Sequence, residues 1–407
     1  MDTKVETSNK DFPNARFSED HYQAVVESWR SPTKRVATEF FVIDADRHVI
    51  EPPEALTKYL DKDFEKDAPK LVSDNQGSPR IMMEGRLYQK PRGYGTGRLE
   101  GCGDQRPRGE SLPYEEAHAH STTYRDLDMD MGGVDMGIWF PTMGLFIPDV
   151  LNMDLQYALA RAHNDWMAKD FVTGRRHIWC VTIPLKPEWA VEEIKRCHAM
   201  GASCVWMRPN VMNEVRYWTE EWDQVWETMT SLDMALLFHE ATGTYNATYS
   251  TDYKYDKYWL AHVVSHPCEM ATGMCGLIGY GVLERHPTLQ VLFCEAGATW
   301  VPYFLFRLDE HVSGRPAIET AELKLRPSEY FKRQCTICSF EPAEALLKET
   351  VEWFGATNMG LTSDYPHWDS SGVSGVEMYI ELYPDMEEGQ RERFFSRNVI
   401  DALNIQP

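Results

Sequence analysis

Residues 134–185 run VDMGIWFPTMGLFIPDVLNMDLQYALARAHNDWMAKDFVTGRRHIWCVTIPL. The stretch opens on an apolar strand, VDMGIWFPT (134–142). It continues as a helix, DLQYALARAHNDWMAKDFV, in which Leu155, Leu159, Ala162 and Trp166 recur at helical spacing. One side of that helix is therefore apolar and packs on a sheet. The stretch closes on a second apolar strand, HIWCVTIPL (177–185). The same alternation extends both ways. Upstream lies EFFVIDADRH (39–48). Downstream lie SCVWMRP (203–209), MALLFHE (234–240), QVLFCEAG (290–297), QCTICSF (334–340) and NMGLTSDYP (358–366). Helices such as AVEEIKRCHAM, EEWDQVWETMTSL and WVPYFLFRLDEHV separate them. Eight strands in strict alternation with helices specify a closed parallel α/β barrel, the (β/α)8 TIM barrel. A doubly wound open sheet is the alternative, but no glycine-rich phosphate loop follows the first strand.

The barrel is expected to occupy residues 39–407. Residues 1–38 read as an N-terminal arm with one helix, SEDHYQAVVESWR, capped by Ser18. An insertion at about 61–125 is rich in Gly, Pro, Arg and Lys and holds a hairpin-like stretch, RIMMEGRLYQK. With 407 residues, 43% hydrophobic and 26% charged, the chain can bury a large core. A net charge of -22 argues against nucleic acid or an anionic membrane as partner. The polar N-terminus has no signal-peptide pattern, and no apolar run is long enough to cross a bilayer. The 9 cysteines are odd in number and scattered, so reduced thiols and a cytoplasmic location are expected. Cys335 and Cys338 form a C-x-x-C inside an apolar run, which reads as buried structural thiols.

In such a barrel the active site lies at the C-terminal ends of the strands. The first strand ends in Asp46-Arg47-His48, with Glu51 just beyond. The fourth ends in Arg208, the fifth in His239-Glu240, the sixth in Cys294-Glu295, and the eighth in Asp364, with His367 three residues on. Period-two geometry puts Asp46 and His48 on one face of their strand. One Asp-x-His is a weak signal, but His and carboxylate residues from four strand ends converge on one mouth. Burying that many charged groups without a cation would be costly, so the constellation points to metal. His118-Ala119-His120 sits in a polar loop and reads as a decoy. His262 and His266 stand at i and i+4 without an intervening Glu, so a zinc-protease motif fails. His266 is open between ligand and core residue. His163 reads as a helix or surface residue. Arg208 is either a clamp for a substrate carboxylate or one half of a salt bridge within the barrel. Trp139, Trp206 and Tyr365 read as packing.

The stretches IDADRHVIEPPEAL, RDLDMDMGGVDMGIWFPT, LIGYGVLERHPTLQVLFCEAGATWVPYFLFRLD and TSDYPHWD resemble, in spacing and order, the amidohydrolase-related family of aminocarboxymuconate semialdehyde decarboxylase. The resemblance covers nearly all of residues 40–400. It implies a metal-bearing barrel with Asp46, His48, His239 and Asp364 as ligands. The departures add carboxylates. Asp-x-His stands where His-x-His is usual, Arg208 where a bridging Lys is often found, and Glu295 where the decarboxylases carry His. With Glu51, His266 and His367, the inventory exceeds what one ion takes. Mixed carboxylates and imidazoles suit two divalent ions, Fe and/or Mn. The chain resembles a branch of the family with such a centre, exemplified by 2-aminoisobutyrate hydroxylase.

The leading expectation is therefore a dinuclear monooxygenase hydroxylating a small carboxylate or amino acid with O2 and an electron donor. Glu295 and Arg208 would be its catalytic residues. The alternative is a mononuclear decarboxylase or hydrolase, with one Zn as Lewis acid and Glu295 or Glu51 as acid/base. A catalytically silent partner subunit is a third reading. Assembly as a homo-oligomer, or with a related barrel subunit, is expected in each case.

Overall fold

The computed structural model describes residues 35–73, 79–88, 122–242, 255, 258–339, 342–367 and 370–406. The helix read at 18–30 and the His118–His120 pair lie outside them. Strand β1 (Ile43–His48) is followed by β2 (Lys70–Ser73), β3 (Pro79–Met83) and β4 (Arg86–Tyr88), which form a separate antiparallel sheet. Glu84 and Gly85, both left-handed at φ 49° and 72°, make the two-residue turn between β3 and β4. Both Glu84 carboxylate oxygens accept backbone N–H groups, from Leu151 at 2.7 Å and Asn152 at 2.8 Å. This turn is thereby fastened to the start of the helix Met153–Trp166.

The main sheet continues with β5 (Met136–Phe140), β6 (His177–Thr182), β7 (Cys204–Met207), β8 (Ala235–Phe238), β9 (Val291–Phe293), β10 (Cys335–Ser339) and β11 (Met359–Leu361). With β1 these are eight strands in sequential order, every pairing parallel. The helices Met153–Trp166, Pro187–Ala199, Asp223–Ser231, Tyr258–Gly279, Val301–Ser313 and Leu347–Phe354 alternate with them. The ring closes between β11 and β1. Arg47 and Tyr365 form a parallel bridge there, and His48 N–H donates to the Tyr365 carbonyl at 2.7 Å. The fold is the (β/α)8 barrel that the alternating pattern specifies.

Side-chain alternation divides the core. Ile138, Cys180, Trp206, Ala235, Leu237, Leu292, Cys294 and Cys338 fill the barrel interior. Val181, Val205, Leu236, Phe238, Val291 and Phe293 face the helices. Among the described residues every cysteine is a free thiol, Cys335 and Cys338 included. No helix among them is long and apolar enough to cross a membrane.

Two backbone irregularities set the barrel mouth. The register of β1 against β5 shifts by one residue between Asp44 and Arg47. A bulge of this kind reverses the alternation. Asp46 and His48 therefore turn inward although Ile43 and Ala45 below them already face the interior. Arg47 turns outward and lies between the rings of Trp139, 5.1 Å away, and Tyr365, 4.2 Å away. On β9, alternation would send residue 295 outward with Phe293. Glu295 instead adopts a left-handed φ of 57° and faces His239. Asp364 is left-handed too, at φ 54°. Non-glycine residues held there cost about 1–3 kcal/mol each and concentrate at functional sites.

Candidate metal centre

Asp46 and His48 from β1, His239 just past β8 and Asp364 three residues past β11 converge at the mouth. Their ligand-type atoms all lie within 4.8 Å of one another, and all four residues are buried. His48 Nε2 is 3.3 Å from Asp46 Oδ1 and 3.3 Å from Asp364 Oδ1, and His239 Nε2 is 3.6 Å from Asp46 Oδ2. Ligands about 2.1 Å from a shared ion stand roughly 3.0–3.6 Å apart for angles from 90° to 120° at the ion, so these spacings suit one.

The tautomers sharpen the argument. His48 Nδ1 is 2.8 Å from the Pro141 carbonyl, and His239 Nδ1 is 2.6 Å from the Glu240 carbonyl. A carbonyl only accepts, so each Nδ1 carries the hydrogen. In the neutral rings both Nε2 atoms then bear lone pairs, and they face one another across 2.9 Å. Burial, aided by the neighbouring His48, holds His239 well below the usual imidazole range, which keeps it neutral. Two lone pairs at that distance call for a cation between them. The flanking carboxylates of Asp46 and Asp364 make a divalent metal the fitting one.

The anchoring of these side chains is equally defined. Asp44 accepts from Ser363 N at 2.9 Å, Ser363 Oγ at 2.5 Å and Arg47 Nη1 at 2.9 Å, which ties β1 to the segment carrying Asp364. Burial raises the Asp44 pKa, with Arg47 and the Ser363 hydrogen bonds opposing it.

Two further groups adjoin the first. His262, His266 and Glu295 form one, and Glu295, Asp364 and His367 another. Glu295 presents Oε2 to His239 Nε2 at 3.1 Å and Oε1 to His266 Nε2 at 3.2 Å. His266 and His262, one turn apart on the helix Tyr258–Gly279, bring their ring centroids to 4.1 Å. Burial opposes the charge on His266, but the Glu295 and Glu240 carboxylates outweigh it and raise its pKa to about 10. Burial and then His266 keep His262 well below the usual range. The i, i+4 spacing of this pair is plain in the sequence; what sequence does not show is that Glu295 supplies the third member.

Two expected site residues are placed elsewhere. Glu51 stands outside the group of Asp46, His48, His239 and Asp364. Its carboxylate accepts from the backbone N–H groups of Thr142, Met143 and Gly144 and faces His163 Nε2 at 3.1 Å. His163, read as a helix or surface residue, lies on the helix Met153–Trp166 and is fully buried in that contact. Arg208 forms a buried ion pair with Glu240 at 3.1 Å, the barrel salt bridge rather than an open clamp. Glu240 in turn accepts from Thr242 Oγ1 at 2.9 Å and Ser265 Oγ at 3.3 Å. His367 is brought in, with Nδ1 2.9 Å from Asp364 Oδ1 and its ring stacked on His48. Trp206 donates to Thr182 Oγ1 at 2.9 Å, as packing does.

The amidohydrolase family model matches residues 43–405. The 2-amino-3-carboxymuconate-6-semialdehyde decarboxylase of Dictyostelium discoideum is 28% identical over 151 residues, 37% of this chain and 41% of that protein. The chain thus matches less than half of that relative's length. A crystal structure of an amidohydrolase from Mycobacterium avium subsp. paratuberculosis K-10 has a TM-score of 0.76 at 22% identity, covering 90% of this chain and 100% of that one. The 5-carboxyvanillate decarboxylase of Novosphingobium aromaticivorans DSM 12444, with bound manganese and 3-methoxy-4-hydroxy-5-nitrobenzoic acid, has a TM-score of 0.66 at 19% identity, covering 91% and 100%. Identities this low speak for the fold alone.

Proposed function

The chain belongs to the amidohydrolase family, and from that premise we propose that it is a metal-dependent decarboxylase of a small carboxylate. The observation that carries the metal is the pair of facing Nε2 atoms of His48 and His239, flanked by Asp46 and Asp364. Those four residues would hold one divalent ion, manganese or zinc by the chemistry of the donors. When bound, such an ion supplies Lewis-acid polarisation of a substrate oxygen. The reaction class is supported by the named activity of the curated decarboxylase relatives.

Loss of CO2 leaves the bonding electron pair on carbon, and a proton must reach that carbon. Glu295 with its partner His266 would deliver it, a reading supported by the position of Glu295 between two imidazoles. His266 keeps its proton to about pH 10 because Glu295 faces it at 3.2 Å, so the two would hold the proton as one hydrogen-bonded pair at the mouth. Water is held off by burial: Asp46, His48 and Asp364 show no accessible surface. Arg208 and Glu240 brace the layer behind His266.

A second reading rests on Glu295. Its two oxygens face imidazoles of different groups, as a carboxylate bridging two cations would. That arrangement favours a second ion on His262 and His266 and, with Fe or Mn in both places, an oxygenase. One experiment separates the two. Protein loaded with Mn2+, Zn2+ or Fe2+ is given small aromatic and enoic carboxylates without oxygen, and CO2 is measured. Anaerobic CO2 release is the expected result. Turnover that requires O2 and reductant would replace the decarboxylase with the oxygenase.

A further inference from the structure

We propose that Glu51 is a positioning residue that sets the ring orientations of His48 and His367 from outside the metal group, an inference resting on the metal reading above. Glu51 lies just past β1 and is 2% exposed. Its two oxygens accept from three successive backbone N–H groups: Thr142 donates to both at 3.1 Å, Met143 to Oε2 at 2.8 Å and Gly144 to Oε1 at 2.9 Å. His163 Nε2 approaches Oε1 at 3.1 Å. Consecutive amides turned to one point make an anion-binding concavity. A carboxylate so engaged is a fastener for a loop.

The fastened loop holds both rings. The Pro141 carbonyl takes the His48 Nδ1 hydrogen at 2.8 Å, which directs Nε2 at the ligand group. The next residue, Thr142, places its hydroxyl 3.1 Å from His367 Nε2. His367 Nδ1 then faces Asp364, and the two imidazoles stack with centroids 3.9 Å apart. The loop is tightly folded on itself. A Cβ at Gly144 would lie 2.6 Å from Pro141 Cβ and 3.0 Å from His163 Nε2. Adjacent residues therefore aim two imidazoles, and one carboxylate fixes both residues.

Replacing the carboxylate by an amide puts an NH2 group against N–H donors. The loop must then move, and His48 with it. Loss of such outer partners typically costs about 10–100-fold in metal affinity. The test titrates full-length protein with Co2+, following both the dissociation constant and the visible absorption of the bound ion. Glu51→Gln is expected to weaken binding by about 10–100-fold and to alter the Co2+ spectrum. Glu84→Gln, which disturbs a comparable two-amide clasp away from the imidazoles, should leave both readouts unchanged. Thr142→Val removes only the hydroxyl and covers the case in which Glu51→Gln does not fold; it should shift the spectrum in the same direction. Wild-type affinity and spectrum in Glu51→Gln, or in Thr142→Val where the first does not fold, would overturn the proposal and leave the metal reading intact. Wild-type protein that binds no Co2+ would overturn both.

Discussion

The backbone N–H of Asp364 donates to the carbonyl of Asp46 at 3.0 Å, while the carboxylates of both residues face His48 Nε2. Main chain thus couples a residue of the first barrel strand to one just past the last. Their side chains are held together independently of any ion, because Asp44 clamps the same seam through Ser363. The site is preorganised, and metal is expected to bind a formed barrel.

Replacing His48 with Ala should accordingly strip the metal while the fold survives. The barrel core is built by apolar strand residues such as Ile138, Leu237 and Leu292. Elemental analysis and circular dichroism check this together. Global unfolding of the variant would make the ion structural.

Glu295→Ala separates one ion from two. If Glu295 serves proton delivery beside a single ion, stoichiometry stays near one and turnover falls by about 100-fold or more, the usual scale for a general acid. If Glu295 bridges, two ions per chain in wild type fall to one or fewer in the variant.

The metal-free protein should lose stability with rising pH because of His266. Its folded pKa of about 10 exceeds the unfolded value of about 6.5, so its contribution is complete below pH 6.5 and declines toward pH 10. The slope is about 1.4 kcal/mol per pH unit between those limits. Denaturant unfolding of chelated protein at several pH values should show it, and His266→Gln should remove it. His239 and His262 have the opposite sign: both are held neutral, so their contribution fades as pH falls below 6.5.

Arg208→Met should destabilise the fold by about 3–5 kcal/mol, since it removes one partner of a buried ion pair and leaves Glu240 without its guanidinium. Adding Glu240→Leu should recover most of that loss. A single variant as stable as wild type but with a raised KM would restore Arg208 as a substrate clamp.

The eight strands were legible because each is a compact apolar run, and strand order follows from right-handed alternation with helices. The group Asp46, His48, His239 and Asp364 was legible because all four stand at strand ends. The supporting layer was not. Glu51 looks like a ligand because three backbone amides leave no trace in a sequence. Arg208 and Glu240 are 32 positions apart, and nothing in either strand announces the pair. The bulge that turns Asp46 inward is invisible as well, since IDADRH carries no residue that demands one. His163 was legible as a helix residue, but its contact with Glu51 was not, because a helical histidine facing a distant carboxylate resembles one facing water.

The seam between β1 and β11 also constrains when the site can exist during synthesis. Asp46 and His48 emerge from the ribosome early, yet Asp364, Ser363 and Tyr365 follow them by more than three hundred residues. A nascent chain lacking β11 has neither Asp364 nor the main-chain partners that hold Asp46 and His48. On the proposed metal reading, loading would therefore be a late, post-assembly event, and a chain arrested before residue 364 would be released without a complete site.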